Sequence, residues 1–381
     1  MQEEKIKVAH IIGKWVGGGV ESVIMNYYRY IDKNKIQFDF ICDSDSTDIP
    51  YKEIEDMGGK VVIIPPYQKI IKYHKKLKEV LKKGKYDIVH SHINTLSVFS
   101  LLAAKCANIP IRIAHSHSTT NKEEKKKNFL KQILRPYSKI FATNYFACSE
   151  YAGRWLFGDK EFNKGNVFIL NNAIDTEKFK FNEKIRDKIR KKLNINENTL
   201  VIGHIGRFVK QKNHDFLIDI FNEVQKERKN SILLLIGQGP LQENIINKVK
   251  KLELQDKVLF LGQQKNVNEI YQAMDVLVLP SLYEGLPVVG VEAQASGLLC
   301  IFSDSMTKET KILDTSEFIS LNSDIDIWKK RIIDSSNYVR LDTSKILIEN
   351  GFDIRKESLK LEKMYLNIVK NGGNNEKNNY Y

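Results

Sequence analysis

The sequence predicts an α/β protein made of two doubly wound parallel-sheet domains. Three observations carry that reading. Short apolar, β-branched runs alternate with longer amphipathic stretches, the pattern of strands covered by helices. The series ends at "NVFILNNAIDTEKF", residues 167 to 179, and then starts again. The chain has 381 residues, more than one core usually serves. The predicted division is a first domain at 1–172, a second at 173–350, a helix at 351–370 that packs back on the first domain, and a polar, low-complexity tail at 371–381 expected to be disordered.

The elements follow in order. "KVAHIIG" reads as the first strand and "ESVIMNYYRYI" as the helix after it. "FDFICD" and "KVVIIP" are the next strands. "YDIVHSH" precedes the helical "TLSVFSLLAAKCA", and "IRIAHSH" follows. A charged stretch, "NEKIRDKIRKKLNINENT", bridges to the second series: "LVIGHIG", "ILLLIGQG", "VLFLG", "DVLVLPS" and "LCIFSD". "IRKESLKLEKMYLNIVK", 354 to 370, is the last strong helix. No sequence repeat relates the two series. In such sheets ligands bind beyond the C-terminal ends of the strands, so the residues just after each strand carry the chemistry.

Composition narrows the class. A hydrophobic content of 42% with 10% aromatics suits a globular chain. No apolar run approaches the roughly 20 residues of a membrane helix, and "MQEEKIKVAHII" lacks the apolar core of a signal peptide. A cytoplasmic location is expected. Cys42, Cys106, Cys148 and Cys300 match no metal or redox spacing and read as buried thiols. The net charge of +13 is concentrated in two stretches, 69–85 and 122–139. The first carries eight lysines and one glutamate, with Ile70, Tyr73, Leu77, Val80 and Leu81 at helical spacing. These are either solvated helix faces or contacts for an anionic membrane surface. No recognition motif accompanies the charge, so nucleic acid is not an expected partner.

The segments after the second-series strands hold the candidate chemistry. Gly206, Arg207 and Lys212 follow "LVIGHIG", with Asn213 placed to cap the next helix. Two cations near a helix N-terminus favour an anion such as phosphate. Gly237 and Gly239 follow "ILLLI", and Pro240 reads as a helix start. They allow a close ligand approach or simply make the turn. After "DVLVLPS" comes "LYEGLPVVGVEAQASG". Pro287 suits the first position of a helix running from about 287 to 296 and stopping near Gly297. Glu284 then lies in the loop before that helix and Glu292 inside it, leaning back toward its N-terminus. Between them the backbone N–H groups of Leu286, Pro287's successors Val288 and Val289 point at the mouth. Two carboxylates would repel a phosphate, so they are expected to accept hydrogen bonds from sugar hydroxyls. Ribose, diphosphate and hexose together make a nucleotide sugar.

At these residues the chain resembles retaining glycosyltransferase family 4, over nearly its whole length. The resemblance rests on Glu284-x7-Glu292, Gly206-Arg207 and Lys212-Asn213, on Gly18, Gly19 and Glu21 in "GGGVES", on His117 in "HSHST", on Ser149 and Glu150 in "ACSEYA", and on "ILNNAID". Two positions depart from the pattern: Ala173 stands where the family has glycine, and Leu299 where proline is common. Neither touches a phosphate or sugar contact. The resemblance implies the GT-B fold, two Rossmann-like domains facing a central cleft, with the acceptor on the first and the donor on the second. It implies Glu292 on the ribose hydroxyls, Glu284 on the transferred sugar, and Arg207 and Lys212 on the leaving diphosphate. Gly18, Gly19 and His117 would come from the other domain. It implies no cofactor and no metal.

The expected activity is transfer of a sugar, with retention, from a UDP-sugar to a polysaccharide or lipid-linked oligosaccharide acceptor in surface polysaccharide biosynthesis. The location is cytoplasmic, peripheral at the inner face of the cell membrane. Two alternatives are a UDP-sugar 2-epimerase on the same fold and a catalytically silent polysaccharide-assembly partner. Asp43-x-Asp45 reads as a polar turn. The pairs His90-x-His92 and His115-x-His117 lack the supporting carboxylate or cysteine of a metal site. His90, His92 and His115 read as polar strand ends, and His117, by the resemblance, as a donor contact.

Overall fold

The computed structural model describes residues 4–117 and 131–373. Residues 122–130 of the second basic stretch and 374–381 of the tail lie outside the described residues. The chain forms two compact units. One comprises the residues up to Ala173 together with those from Ile354 onward, and the other is Ile174–Asp353.

The first unit holds a seven-stranded sheet. Its strands are β1 (Ile6–Gly13), β2 (Ile36–Asp43), β3 (Val61–Ile64), β4 (Ile88–Ser91), β5 (Ile111–Ser116), β6 (Asn144–Ala147) and β7 (Val167–Ile169). They lie in the order β3-β2-β1-β4-β5-β6-β7, and the pairs are parallel. Strands covered by helices on both faces are apolar nearly throughout, which is why β1 is buried along its length apart from Lys7. The order reverses between β1 and β4, and that switch point opens a crevice at the strand ends. Helix Ile354–Lys370 belongs to this unit. It buries Leu361, Met364, Tyr365 and Ile368, and Glu362 takes the Lys35 ammonium at 2.6 Å.

The second unit repeats the plan with six strands: β8 (Leu200–Ile205), β9 (Ser231–Ile236), β10 (Val258–Gly262), β11 (Val276–Leu279), β12 (Leu299–Ser303) and β13 (Glu317–Ile319). The order is β10-β9-β8-β11-β12-β13, again parallel, with the switch between β8 and β11. Leu200, Ile202, Leu233, Leu235, Val276, Val278 and Ile301 meet Leu217, Phe221, Val224 and Trp328 in its core. Each such side chain contributes about 1.5–3 kcal/mol on burial.

The charged stretch after residue 181 is part of this unit and not a free bridge. Helix Glu183–Lys192 is capped by the Asn182 side chain. Its Arg186 and Arg190 grip the two oxygens of Asp275 at 2.6 and 2.7 Å. Arg190 is buried and also donates to the carbonyls of Ala273, Glu197 and Thr199. Among the described residues no helix is long and apolar enough to cross a membrane.

Candidate active site

In the second unit the predicted residues converge at the switch point. Gly206 and Arg207 leave β8, Gly237 and Gly239 leave β9, and Glu284 follows β11. The β8 and β11 loops are stitched together. The Leu282 amide donates to the Gln211 carbonyl at 2.8 Å, and Gln211 Nε2 donates to the Tyr283 carbonyl at 3.0 Å and to Glu284 Oε2 at 3.2 Å. Lys212 Nζ sits 2.6 Å from the other oxygen of Glu284. Gly206 makes room for this, because a Cβ there would lie 3.0 Å from the Lys212 stem. Arg207 is exposed at the rim, with no ion pair among the described residues.

Asn213 has a different task from the one expected. Its backbone is left-handed, with φ at 55°, and its side chain makes no cap. Nδ2 donates instead to the Pro280 carbonyl at 3.0 Å, tying the start of helix His214–Glu227 to the end of β11. Pro240 likewise precedes its helix, which begins at Gln242.

Gly237 and Gly239 serve a close backbone approach. Gly237 has φ at 129°, and a Cβ there would meet the Gly206 carbonyl at 2.2 Å. A Cβ on Gly239 would meet the Phe208 carbonyl at 2.6 Å. The Phe208 amide donates to the Gln238 carbonyl and the Phe208 carbonyl accepts from Leu241. The two loops therefore lie backbone against backbone, and what approaches each glycine is the neighbouring loop.

Helix Val288–Ala295 has Pro287 at its N-cap and ends at Gly297 with φ at 65°. Leu286 and Val288 are buried. The Val288 and Val289 amides lie in the first turn, where no intrahelical acceptor exists for them. Glu292 accepts from Tyr271 Oη at 2.8 Å, and that hydroxyl is also 3.1 Å from the Val289 carbonyl. Burial pushes the Glu292 carboxyl up to about 7, against the lowering effects of the Tyr271 bond and Lys178. Sequence reasoning missed Gln211 and Tyr271. Gln211 immediately precedes Lys212-Asn213, but Tyr271, on helix Val267–Ala273, carries no signal in the sequence.

In the first unit, Gly18 is the N-cap of helix Gly19–Tyr30. Glu21 folds back so that Oε1 accepts from the Val16 amide at 2.9 Å, and a Cβ on Gly18 would lie 2.9 Å from its Oε2. The glutamate thus holds the loop that the glycines form, in the first turn where the helix dipole favours an acid. Ser149 caps helix Glu150–Phe157, and exposed Glu150 pairs with Arg154 at 2.6 Å.

His117 follows β5, its amide held by Asn94 Oδ1 at 2.8 Å. The histidines read as separate polar strand ends form one buried group. His10, from β1, joins them unpredicted. His10 Nδ1 lies 2.9 Å from His92 Nε2, and His92 Nδ1 lies 2.8 Å from His117 Nε2. A second line runs from Tyr365 Oη to His90 Nδ1 at 2.6 Å and from His90 Nε2 to His115 Nδ1 at 3.0 Å. Burial lowers all five, His10 and His117 to about 3. The ligand atoms of His10, His90 and His92, and of His92, His115 and His117, lie within 4.8 Å of one another. No imidazolium is therefore stable there, and the nitrogens bond to each other.

Two further expectations change. Asp43 is not on an exposed turn: it ends β2 buried, and desolvation pushes its carboxyl up to about 7, while exposed Asp45 pairs with Lys14 at 2.9 Å. Cys42, Cys148 and Cys300 are buried, but Cys106 is exposed at the end of its helix.

Residues 17–178 match the family model described as Glycosyltransferase Family 4, and residues 185–346 match Glycosyl transferases group 1. EpsF of Bacillus subtilis, which bears a glycosyltransferase name, is 36% identical over 87% of this chain and 88% of its own length. The chain is a member of this glycosyltransferase family. It is also 27% identical to an Escherichia coli UDP-Gal:alpha-D-GlcNAc-diphosphoundecaprenol alpha-1,3-galactosyltransferase, over 96% of this chain and 98% of that one. Among solved structures, Anabaena HepE, determined with UDP and glucose, superposes with a TM-score of 0.78 at 16% identity, covering 95% of this chain and 99% of that one. WaaG, a glycosyltransferase involved in lipopolysaccharide biosynthesis, gives 0.68 at 16% identity over 95% and 99%. The fold of this glycosyltransferase is GT-B.

Proposed function

We propose that the protein transfers a sugar from a UDP-sugar, with retention of configuration, to a lipid-linked or polysaccharide acceptor in surface polysaccharide assembly. The observation that carries this reading is the row from Glu284 through the first turn of helix Val288–Ala295 to Glu292, with Lys212 bonded to its first acid. It offers a carboxylate to a sugar, backbone donors and cations to a diphosphate, and a second carboxylate to a ribose. Family membership favours transfer over epimerisation or a silent partner. Relatives named for their activity or ligand support the donor and acceptor classes: one is named for UDP-Gal and a diphosphoundecaprenol acceptor, and the HepE structure holds UDP.

Charge on the departing diphosphate is met by Arg207 and Lys212, with the helix dipole behind the first-turn amides. That arrangement stabilises the leaving group with protein charges and requires no metal. In the retaining step, the acceptor oxygen attacks the anomeric carbon on the face the diphosphate leaves. The departing phosphate oxygen takes the acceptor proton, and no protein base is assigned. His117 and the Gly18–Gly19 loop are further donor contacts on this reading.

The acceptor would be taken by the first unit, at a membrane surface. Helix Ile70–Gly84 buries Tyr73, Leu77 and Leu81, leaves Ile71 81% exposed near Lys72 and Lys75, and exposes Lys82 and Lys83 in its last turn. Exposed apolar and cationic side chains on one helix suit an anionic bilayer. A panel of nucleotide sugars with a polyprenyl-diphosphate-linked acceptor tests the function. A product whose new linkage keeps the donor's anomeric configuration is expected. Donor interconversion without an acceptor, or an inverted product, contradicts it.

A further inference from the structure

Five buried histidines on three adjacent strand ends are more than one donor contact requires. Their arrangement has a direction. In the line His10–His92–His117 each N···N contact holds one proton, so the three neutral rings have only two consistent arrangements. In one, His117 Nε2–H donates to His92 and His92 donates to His10, which leaves His10 Nε2 carrying a hydrogen. In the other, His10 Nδ1–H donates to His92 Nε2 and His92 Nδ1–H donates to His117 Nε2, which leaves His117 carrying its hydrogen on Nδ1.

The buried end decides between them. His10 Nε2 is buried and has no hydrogen-bond partner. Its ring lies 4.1 Å from that of Phe38 and 5.8 Å from that of Phe40. An N–H left without an acceptor in such a place is rarer and costlier than an unused lone pair. At the other end, His117 Nδ1 makes no hydrogen bond among the described residues, and it is not among the fully buried partnerless atoms.

We propose that His10 and His92 are positioning residues that fix His117 as the Nδ1–H tautomer, presenting a permanent hydrogen-bond donor. An isolated histidine side chain favours the opposite, Nε2–H form. The relay sets the chemistry His117 offers a ligand: a donor to an oxygen lone pair on the sugar part of the substrate, and never a base. This role in transfer rests on the proposed nucleotide-sugar reading, whereas the tautomer itself does not. Tyr365, His90 and His115 form a parallel line that wedges the rings in place, with His115 and His117 stacked at 3.9 Å.

The test is nitrogen-15 NMR of the full chain with labelled histidine, in wild type and in His92→Phe, His92→Gln and His10→Phe. Two-bond correlations report which ring nitrogen carries hydrogen. His117 is expected as Nδ1–H in wild type and in His92→Gln, whose amide still donates to Nε2. It is expected to move toward Nε2–H in His92→Phe. In His92→Phe transfer should fall about ten- to a hundredfold, the effect of one misoriented hydrogen bond, while UDP affinity stays within about twofold of wild type. His92→Gln should recover most of the loss. His117 as Nε2–H in wild type, or unchanged as Nδ1–H in His92→Phe, overturns the proposal. So does a stoichiometric transition metal in the purified protein, which would need the lone pairs that the relay uses. A wild type with the Nδ1–H form but no sugar transfer would sink the functional reading and leave the relay standing.

Discussion

Lys212 and Glu284 hold each other: ammonium and carboxylate are 2.6 Å apart, with 15% and 9% of their side chains exposed. The cation assigned to the diphosphate and the acid assigned to the sugar are therefore neutralised together. Donor binding must draw on a lysine that already has a partner. Glu284→Ala removes that competitor. UDP affinity in the variant is expected to equal or exceed that of wild type, while transfer falls about a hundredfold through loss of the sugar contact. Calorimetry and a transfer assay read the two effects separately. A loss of UDP binding that parallels the loss of transfer would place Glu284 on the nucleotide instead.

Tyr271 donates to Glu292, whose carboxyl burial raises to about 7. A protonated carboxyl accepts ribose hydroxyls poorly. Nucleoside affinity should therefore rise with pH through 7 and level off above it. Tyr271→Phe takes away a bond that favours the charged form, so its midpoint should move to higher pH. Glu292→Gln should bind uridine weakly and without this midpoint. Uridine titrations from pH 6 to 8.5 check it, since uridine has no phosphate to titrate in that range.

Seven histidines are held neutral by burial: His10 and His117 at about 3, His204 at about 4, His214 at about 2, and His90, His92 and His115 well below the usual value. Their folded values are lowered, so below pH 6.5 the unfolded chain binds protons that the folded chain refuses. Each costs about 1.4 kcal/mol per pH unit over that window. Asp43 and Glu292, both raised to about 7, act in the opposite direction but are outnumbered. The melting temperature should fall steeply from pH 7.5 to 5.5. A flat profile would mean that these rings reach water.

Helix Ile70–Gly84 carries the membrane proposal. Reversing Lys75, Lys76, Lys82 and Lys83 to glutamate should abolish co-flotation with anionic vesicles, at about 1 kcal/mol per lysine. High salt should do the same to wild type. Flotation that survives both treatments would exclude an electrostatic contact.

The strands and their alternation with helices were legible because parallel strands buried on both faces leave unbroken apolar runs. The helix at 354–370 was legible from its periodicity. That Arg207, Lys212 and Glu284 lie in loops after strands was legible, because the strand runs end just before them. Partnerships across loops were not. Asn213 reaches Pro280, and Gln211 reaches Glu284, from more than sixty residues away in sequence. Gly237 and Gly239 were ambiguous because a turn, a ligand and a neighbouring backbone all demand glycine. His10 looked like one polar residue in an apolar strand. Only the pairing of β1 with β4, which puts His10 beside His90, makes it part of a group.

The central claim is that the second unit grips a nucleoside diphosphate through protein charges alone. Isothermal titration of the full chain with UDP in the presence of a metal chelator tests it most directly. One site per chain is expected, weakened at least about tenfold by Arg207→Ala, which removes a charge-assisted contact without disturbing any described ion pair. No binding until a divalent cation is supplied, or full affinity in Arg207→Ala, would contradict the account.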